Sequence, residues 1–146
     1  MNAQIEEMLQ AIANEKRGAG ETPRPPLTLT RAEAQRLFSE RMGRSCDDAY
    51  YDFCRVTNGL DWNGLMIYSI AEPEQDRHLG IVDNYLDWRD IEDLQSYLVY
   101  GDNGMDLIGQ NLNTEVFELL MKPSFEVIET YDSFDEIVRS QLRQLF

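Results

Sequence analysis

The sequence predicts an α+β domain in which helices pack on an antiparallel meander sheet. Three observations predict it. Helix-period apolar patterns open and close the chain. Short apolar runs separated by tight turns fill residues 97–129. One helical stretch lies between the first strand-like run and the rest, so elements do not alternate as βαβ units. At 146 residues the chain fits one domain. Such a domain buries roughly 68–70% of its unfolded surface, enough for a real core.

Ile5, Met8, Leu9 and Ile12 recur at helical spacing, which predicts a short amphipathic helix within residues 1–17. Residues 18–28 follow as a linker or surface loop, because Gly18, Gly20, Pro23, Pro25 and Pro26 exclude both helix and central strand. Docking of the first helix on the body, exchange with a partner chain and loose attachment are all compatible with this. The α+β domain proper is read as 29–146.

Thr30 and Glu33 form a T-x-x-E capping box, and Ala34, Leu37, Phe38 and Met42 stripe the helix it opens. Gly43 ends that helix. Ser45 and Asp48 are read as a second box, before a helix that turns Ala49, Tyr50, Phe53 and Cys54 inward. Gly59 supplies the left-handed residue expected at its end, and Gly64 opens an apolar strand, Leu65 to Tyr68.

A polar loop, AEPEQDRH, leads to a helix expected from His78 to Trp88. Strands are expected at Tyr97–Tyr100, Met105–Gln110, Glu115–Leu120 and Phe125–Glu129, with turns at Gly101–Gly104 and Asn111–Thr114 and a break at Pro123. Ser133 and Glu136 form a third box, opening a helix striped by Phe134, Ile137, Val138, Leu142 and Leu145.

Charge narrows the function classes. Thirteen Lys and Arg face 27 Asp and Glu, for a net charge of −14. Residues 46–136 hold the excess, with four basic and 21 acidic side chains, a net of −17. That argues against nucleic-acid backbones and anionic membranes, both of which need Lys and Arg. It favours a basic partner, and it also serves solubility.

The chemistry-bearing residues are sparse. His78 is the one histidine, between a polar loop and a helix start, with no nucleophile motif beside it; it reads as a surface or capping residue. Cys46 and Cys54 lie eight apart on the expected helix, separated by about 12 Å at 1.5 Å per residue. That is too far for a disulfide, so both read as small core residues in a reducing compartment. Asp102, Asn103 and Asp106 resemble part of a calcium loop, but the twelfth position from Asp102 is Asn113 and the middle ligands are apolar. The stretch reads as a turn, and no metal, cofactor or catalytic residue is expected. The N-terminus lacks the apolar region of a signal peptide, and no apolar run approaches the ~18 residues of a membrane span, which points to the cytoplasm.

Two readings stand for Trp62 and Trp88, burial against the sheet or an interface anchor. Asp83, Asp87, Asp90, Glu92 and Asp93 cluster on or just after the middle helix, and Glu72, Glu74 and Asp76 precede it. Asp83 and Asp87 share one helix face, a like-charge pair that costs a few tenths of a kcal/mol. Two readings stand for a chain that keeps such an unfavourable pattern: it uses the charge, or it presents a solvated face.

The stretch DAYYDFCRVTNGLDWNGLMIY carries a resemblance. Tyr50-x-x-Phe53, then Asn58-Gly59, then Gly64-Leu65-x-Ile67-Tyr68 resembles the SUKH superfamily, also called the Smi/Knr family. Tyr97–Gly104 followed by Asp106-Leu107 is similar to the family's strand, glycine turn and strand. Asn113–Phe117 is similar to its T-G-E-V hairpin turn without the Gly, and Ser133–Ile137 resembles its closing helix. The resemblance spans Leu29 to Phe146. It implies a small α+β fold with no cofactor and no enzyme activity. It also implies, for many bacterial members, immunity by stoichiometric binding of a cognate toxin. Eukaryotic members act as signalling or cell-wall regulators, so a non-toxin adaptor is the alternative. The expected partner is a basic toxin domain, a nuclease being one class. The partner-binding residues expected are Glu72, Glu74, Asp76, Asp83, Asp87, Trp88, Asp90, Glu92 and Asp93.

Overall fold

A computed structural model gives the fold and describes every residue except Pro73 and the side chain of Glu74. Among the described residues five α-helices, α1 (Ala3–Gly18), α2 (Arg31–Met42), α3 (Asp48–Val56), α4 (Ile81–Trp88) and α5 (Phe134–Arg143), accompany one sheet. Its six strands are β1 (Leu60–Trp62), β2 (Leu65–Ile67), β3 (Tyr97–Asp102), β4 (Asp106–Asn111), β5 (Phe117–Met121) and β6 (Glu126–Tyr131). They lie in chain order, every neighbour antiparallel, so the sheet is a complete meander. The α+β class stands as the sequence predicts it.

The helix ends show which local signals act. At α2 both halves of the Thr30–Glu33 box form, and Gly43 closes the helix at φ +69°. At α3 the cap is Asp47 rather than Ser45: its carboxylate accepts from the Tyr50 N–H at 3.0 Å. At α5 the Ser133 hydroxyl accepts from the Glu136 N–H, while Glu136 bonds back to the Asp132 N–H, one residue before the cap.

Three further expectations need correction. Gly59 does not end α3; Thr57 does, in extended conformation. Gly59 instead sits at φ +88°, where a Cβ would lie 3.0 Å from the Ile67 carbonyl, so it lets the chain enter β1 against β2. That first strand is absent from the sequence reading. Asn63 and Gly64, at φ +48° and +87°, form the two-residue turn of the β1–β2 hairpin, whose twist suits Asn-Gly. Trp62 therefore stands at the end of a strand, β1. Cys46 lies in the loop between α2 and α3, not on α3.

α1 is docked on its own chain. Ile5, Leu9 and Ile12 are buried in the common core, α1 packs against α5, and Asn2 caps it. The Pro-rich stretch is tied down as well. Leu27 N–H donates to the Cys54 carbonyl at 2.8 Å, and Asn58 N–H to the Pro25 carbonyl at 2.9 Å.

The core centres on an aromatic cluster. Tyr50 packs edge-on to Tyr100 at 4.8 Å and to Phe134 at 5.3 Å, with Phe38, Phe53 and Phe117 around them. Such pairs add about 0.5–1.5 kcal/mol each beyond their burial. The buried Tyr50 hydroxyl donates to the Tyr68 carbonyl at 2.6 Å, which satisfies it and joins α3 to the end of β2.

Candidate functional site

The residues of the opening motif are joints of the scaffold. The Asn58 side chain both donates to and accepts from the Ile70 backbone, at 2.8 Å each way, and so stands in for a strand partner. At Gly101 a Cβ would meet the Met66 carbonyl at 2.0 Å, so β2 and β3 approach only because no side chain intervenes. In the β3–β4 turn, Asn103 Oδ1 accepts from the N–H groups of Met105 and Asp106, and its amide donates to Gln141 of α5 at 2.8 Å. Asp102 accepts from the Gly104 N–H. These oxygens serve the turn itself.

Cys46 and Cys54 are buried free thiols. Burial pushes Cys46 well up and Cys54 up to about 12, so neither is a ready thiolate at neutral pH. His78 is exposed, near the end of a 3-10 segment, Glu74–Leu79, and its carbonyl accepts from the Asn84 amide at 2.8 Å. Among the described residues no group of three or more His, Cys, Asp or Glu is placed to hold a metal ion, and no helix is long and apolar enough to cross a membrane.

The nine expected partner-binding residues divide. Glu72 is turned inward: its side chain is 3% exposed and paired with Arg24, which also donates to the Asn58 carbonyl at 2.6 Å. It fastens the Pro-rich stretch to the loop after β2 and presents no free charge. Asp83 accepts from Arg77 at 2.8 and 3.1 Å, so the repulsion expected from Asp87 is offset by a cation outside α4. Asp76 is half-buried at a break in the 3-10 segment. The side chain of Glu74 lies outside the described residues.

The other five follow one another closely in the chain, at the end of α4 and in the turn after it. Asp87, Asp90, Glu92 and Asp93 are exposed, and among the described residues none makes an ion pair. Trp88 sits half-buried among them, its indole N–H donating to the Tyr68 hydroxyl at 3.3 Å. Leu86 is 43% exposed, and Ile91 is partly buried against the core. Arg89 does not neutralise the acids by pairing; its guanidinium lies over the Tyr85 ring at 5.1 Å. The last turn of α4 has no basic residue, so Asp87 faces the negative end of the helix dipole unrelieved. Partly exposed apolar side chains interspersed with exposed acids have the composition of a protein-binding patch.

The sequence reading missed that Leu86 and Ile91 belong with this surface. Helical spacing from Ile81, Val82 and Tyr85 points Leu86 inward, but α4 is only two turns long and ends beside it, which leaves Leu86 exposed. No family model, curated protein or solved structure matches the chain.

Proposed function

We propose that this chain is a cytoplasmic immunity protein of SUKH type, which neutralises a cognate toxin domain by covering its basic surface. The observation that carries this is the stretch at the end of α4, where Leu86, Trp88 and Ile91 are interspersed with Asp87, Asp90, Glu92 and Asp93, exposed and without ion-pair partners among the described residues. A basic nuclease fits that chemistry, because its own ligand is a polyanion and unpaired carboxylates present the same charge. The ordered motifs around Asn58-Gly59, Gly101–Gly104 and Ser133 support the scaffold half of the reading.

The test uses the full chain as bait in lysate of its source at low salt, with bound proteins identified by mass spectrometry. A basic domain recovered in one-to-one ratio, toxic alone and harmless when co-expressed, is the expected result. Recovery only of non-toxic housekeeping partners would overturn immunity and favour an adaptor. With the partner in hand, Asp87→Lys/Asp90→Lys is expected to slow association roughly tenfold or more at low salt, with the far-UV spectrum unchanged. Asp83 is left intact because its pair with Arg77 is structural.

A further inference from the structure

β6 is one outer edge of the sheet, and β1, only three residues long, is the other. A free edge presents unpaired N–H and C=O groups, and folds blunt it by shortness, by charge or by a covering segment. Shortness blunts β1. β6 is six residues long and exposed from Glu126 to Thr130. Among the described residues no backbone group of residues 127–131 bonds outside the sheet. Apolar side chains lie open along it. Val127 and Ile128 are 47% and 46% exposed, and Ile128 lines an open concavity with Met105, Met121 and Pro123.

The pairing register gives this edge a charge pattern. Glu126 and Glu129 are three apart, which in a regular strand sets them on opposite faces. Here Met121 pairs with Glu126, Leu120 with Val127 and Leu119 with Glu129, so a bulge at Ile128 absorbs one residue. Both glutamates therefore stand on one face of the sheet, two pairing steps apart. Val127 stands between them on the other face. Among the described residues neither glutamate makes an ion pair, and Glu129 accepts only from the Tyr131 hydroxyl.

From this we infer that β6 takes an extended segment of a partner polypeptide as a seventh strand, its side chains alternating basic, apolar and basic. Backbone pairing supplies the attachment, and the alternate side chains supply the selectivity. A Lys or Arg opposite each of Glu126 and Glu129 makes a favourable cross-strand pair, and the apolar residue between them lies against Val127. The same acids oppose a second copy of this chain in that place. Its own β6 would bring like charges to the edge, on a chain of net charge −14. The site does not depend on the partner proposed for the end of α4.

The experiment titrates the full ¹⁵N-labelled chain with capped six-residue peptides, following amide shifts at about 0.15 M salt to screen distant charges. One peptide alternates lysine and valine, one alternates glutamate and valine, and one has three lysines followed by three valines. The alternating lysine peptide is expected to bind saturably at millimolar concentration or below and to shift the amides of residues 126–131. The glutamate peptide is expected to bind about tenfold more weakly or worse, since two attractions become two repulsions. The block peptide carries the same charge in the wrong pattern and should bind at least about threefold more weakly than the alternating one. Glu126→Lys/Glu129→Lys changes two exposed positions and is expected to abolish or reverse the preference for lysine over glutamate. Equal binding of the block and alternating lysine peptides, shifts centred on α4, an unchanged preference in the double variant or no saturable binding would each overturn the inference. Shifts of residues 126–131 that grow with protein concentration alone would assign the edge to a second copy and overturn it too.

Discussion

Asp47 caps α3 through the Tyr50 N–H and sits close enough to Asp48 and Asp135 to be repelled by both. Burial is the largest influence and holds its carboxyl above the ordinary 3.8, with the cap hydrogen bonds opposing. Asp135 is raised in the same direction, again by burial first. In both, the folded state keeps the proton longer than the unfolded state. Their contribution to stability is therefore greatest below the ordinary value and falls as pH rises through the window above it. Asp47→Asn keeps an equally good cap without the buried charge. It is expected to raise stability at pH 7 and to flatten the decline above pH ~4, measured by urea unfolding across pH. A loss at pH 7 equal to that of Asp47→Ala would show that the charge itself is needed. At this scale the sequence revealed charge and not its partner. Glu72 reads as a free loop acid because Arg24 lies 48 residues away, and Asp83 reads as repelled because Arg77 lies on another element. Asp87, Asp90, Glu92 and Asp93 are exposed, and among the described residues no ion pair engages them, so their charge was the part of the pattern readable without the fold.

At the scale of elements, α1 raises the clearest question, since an end helix behind a Pro-rich stretch invites the idea of an appendage. Its Ile5 and Ile12 are at most 1% exposed, and Arg143 of α5 donates to Gln4 at 3.0 Å. Ile12→Ala is expected to cost about 2–5 kcal/mol and to shift one cooperative transition, seen alike by circular dichroism and tryptophan fluorescence. An appended helix would instead fray while the main transition stayed in place. Legibility followed the range of the signal here too. The Thr30 box and the Ser133 cap were readable because capping is settled within four residues. Asn63-Gly64 is an equally local hairpin signal, but the strand it serves, Leu60–Trp62, is only three residues long and carries a single buried side chain, too short to show a strand period. The start of α4 was placed three residues early because the 3-10 segment shares helical spacing, and whether α1 docks was not readable because the surface it meets is made by α5, at the other end of the chain.

For the whole molecule, charge and stability pull against each other. Twenty-seven acids face 13 basic side chains, and the ion pairs among the described residues engage only Arg24, Arg31 and Arg77. Two of the four are made by Arg31, whose side chain is 46% exposed, and pairs of that kind contribute little. Carboxylates without a pair repel one another across a small domain, and compaction worsens this. Screening shortens the reach of that repulsion from about 30 Å at 0.01 M salt to about 8 Å at 0.15 M. The melting temperature is therefore expected to rise by a few degrees over that range of sodium chloride, equivalent to about 1 kcal/mol for a chain of this size. Sodium sulfate at equal ionic strength separates screening from exclusion: a far larger rise in sulfate would assign the effect to exclusion from the surface. A fall in melting temperature with chloride would mean that ion pairs outweigh repulsion. Partner binding through the acidic patch should move oppositely, weakening over the same salt range, because there the charges attract. A surface so charged that salt stabilises it alone and loosens it from its partner is what an electrostatically steered binder requires.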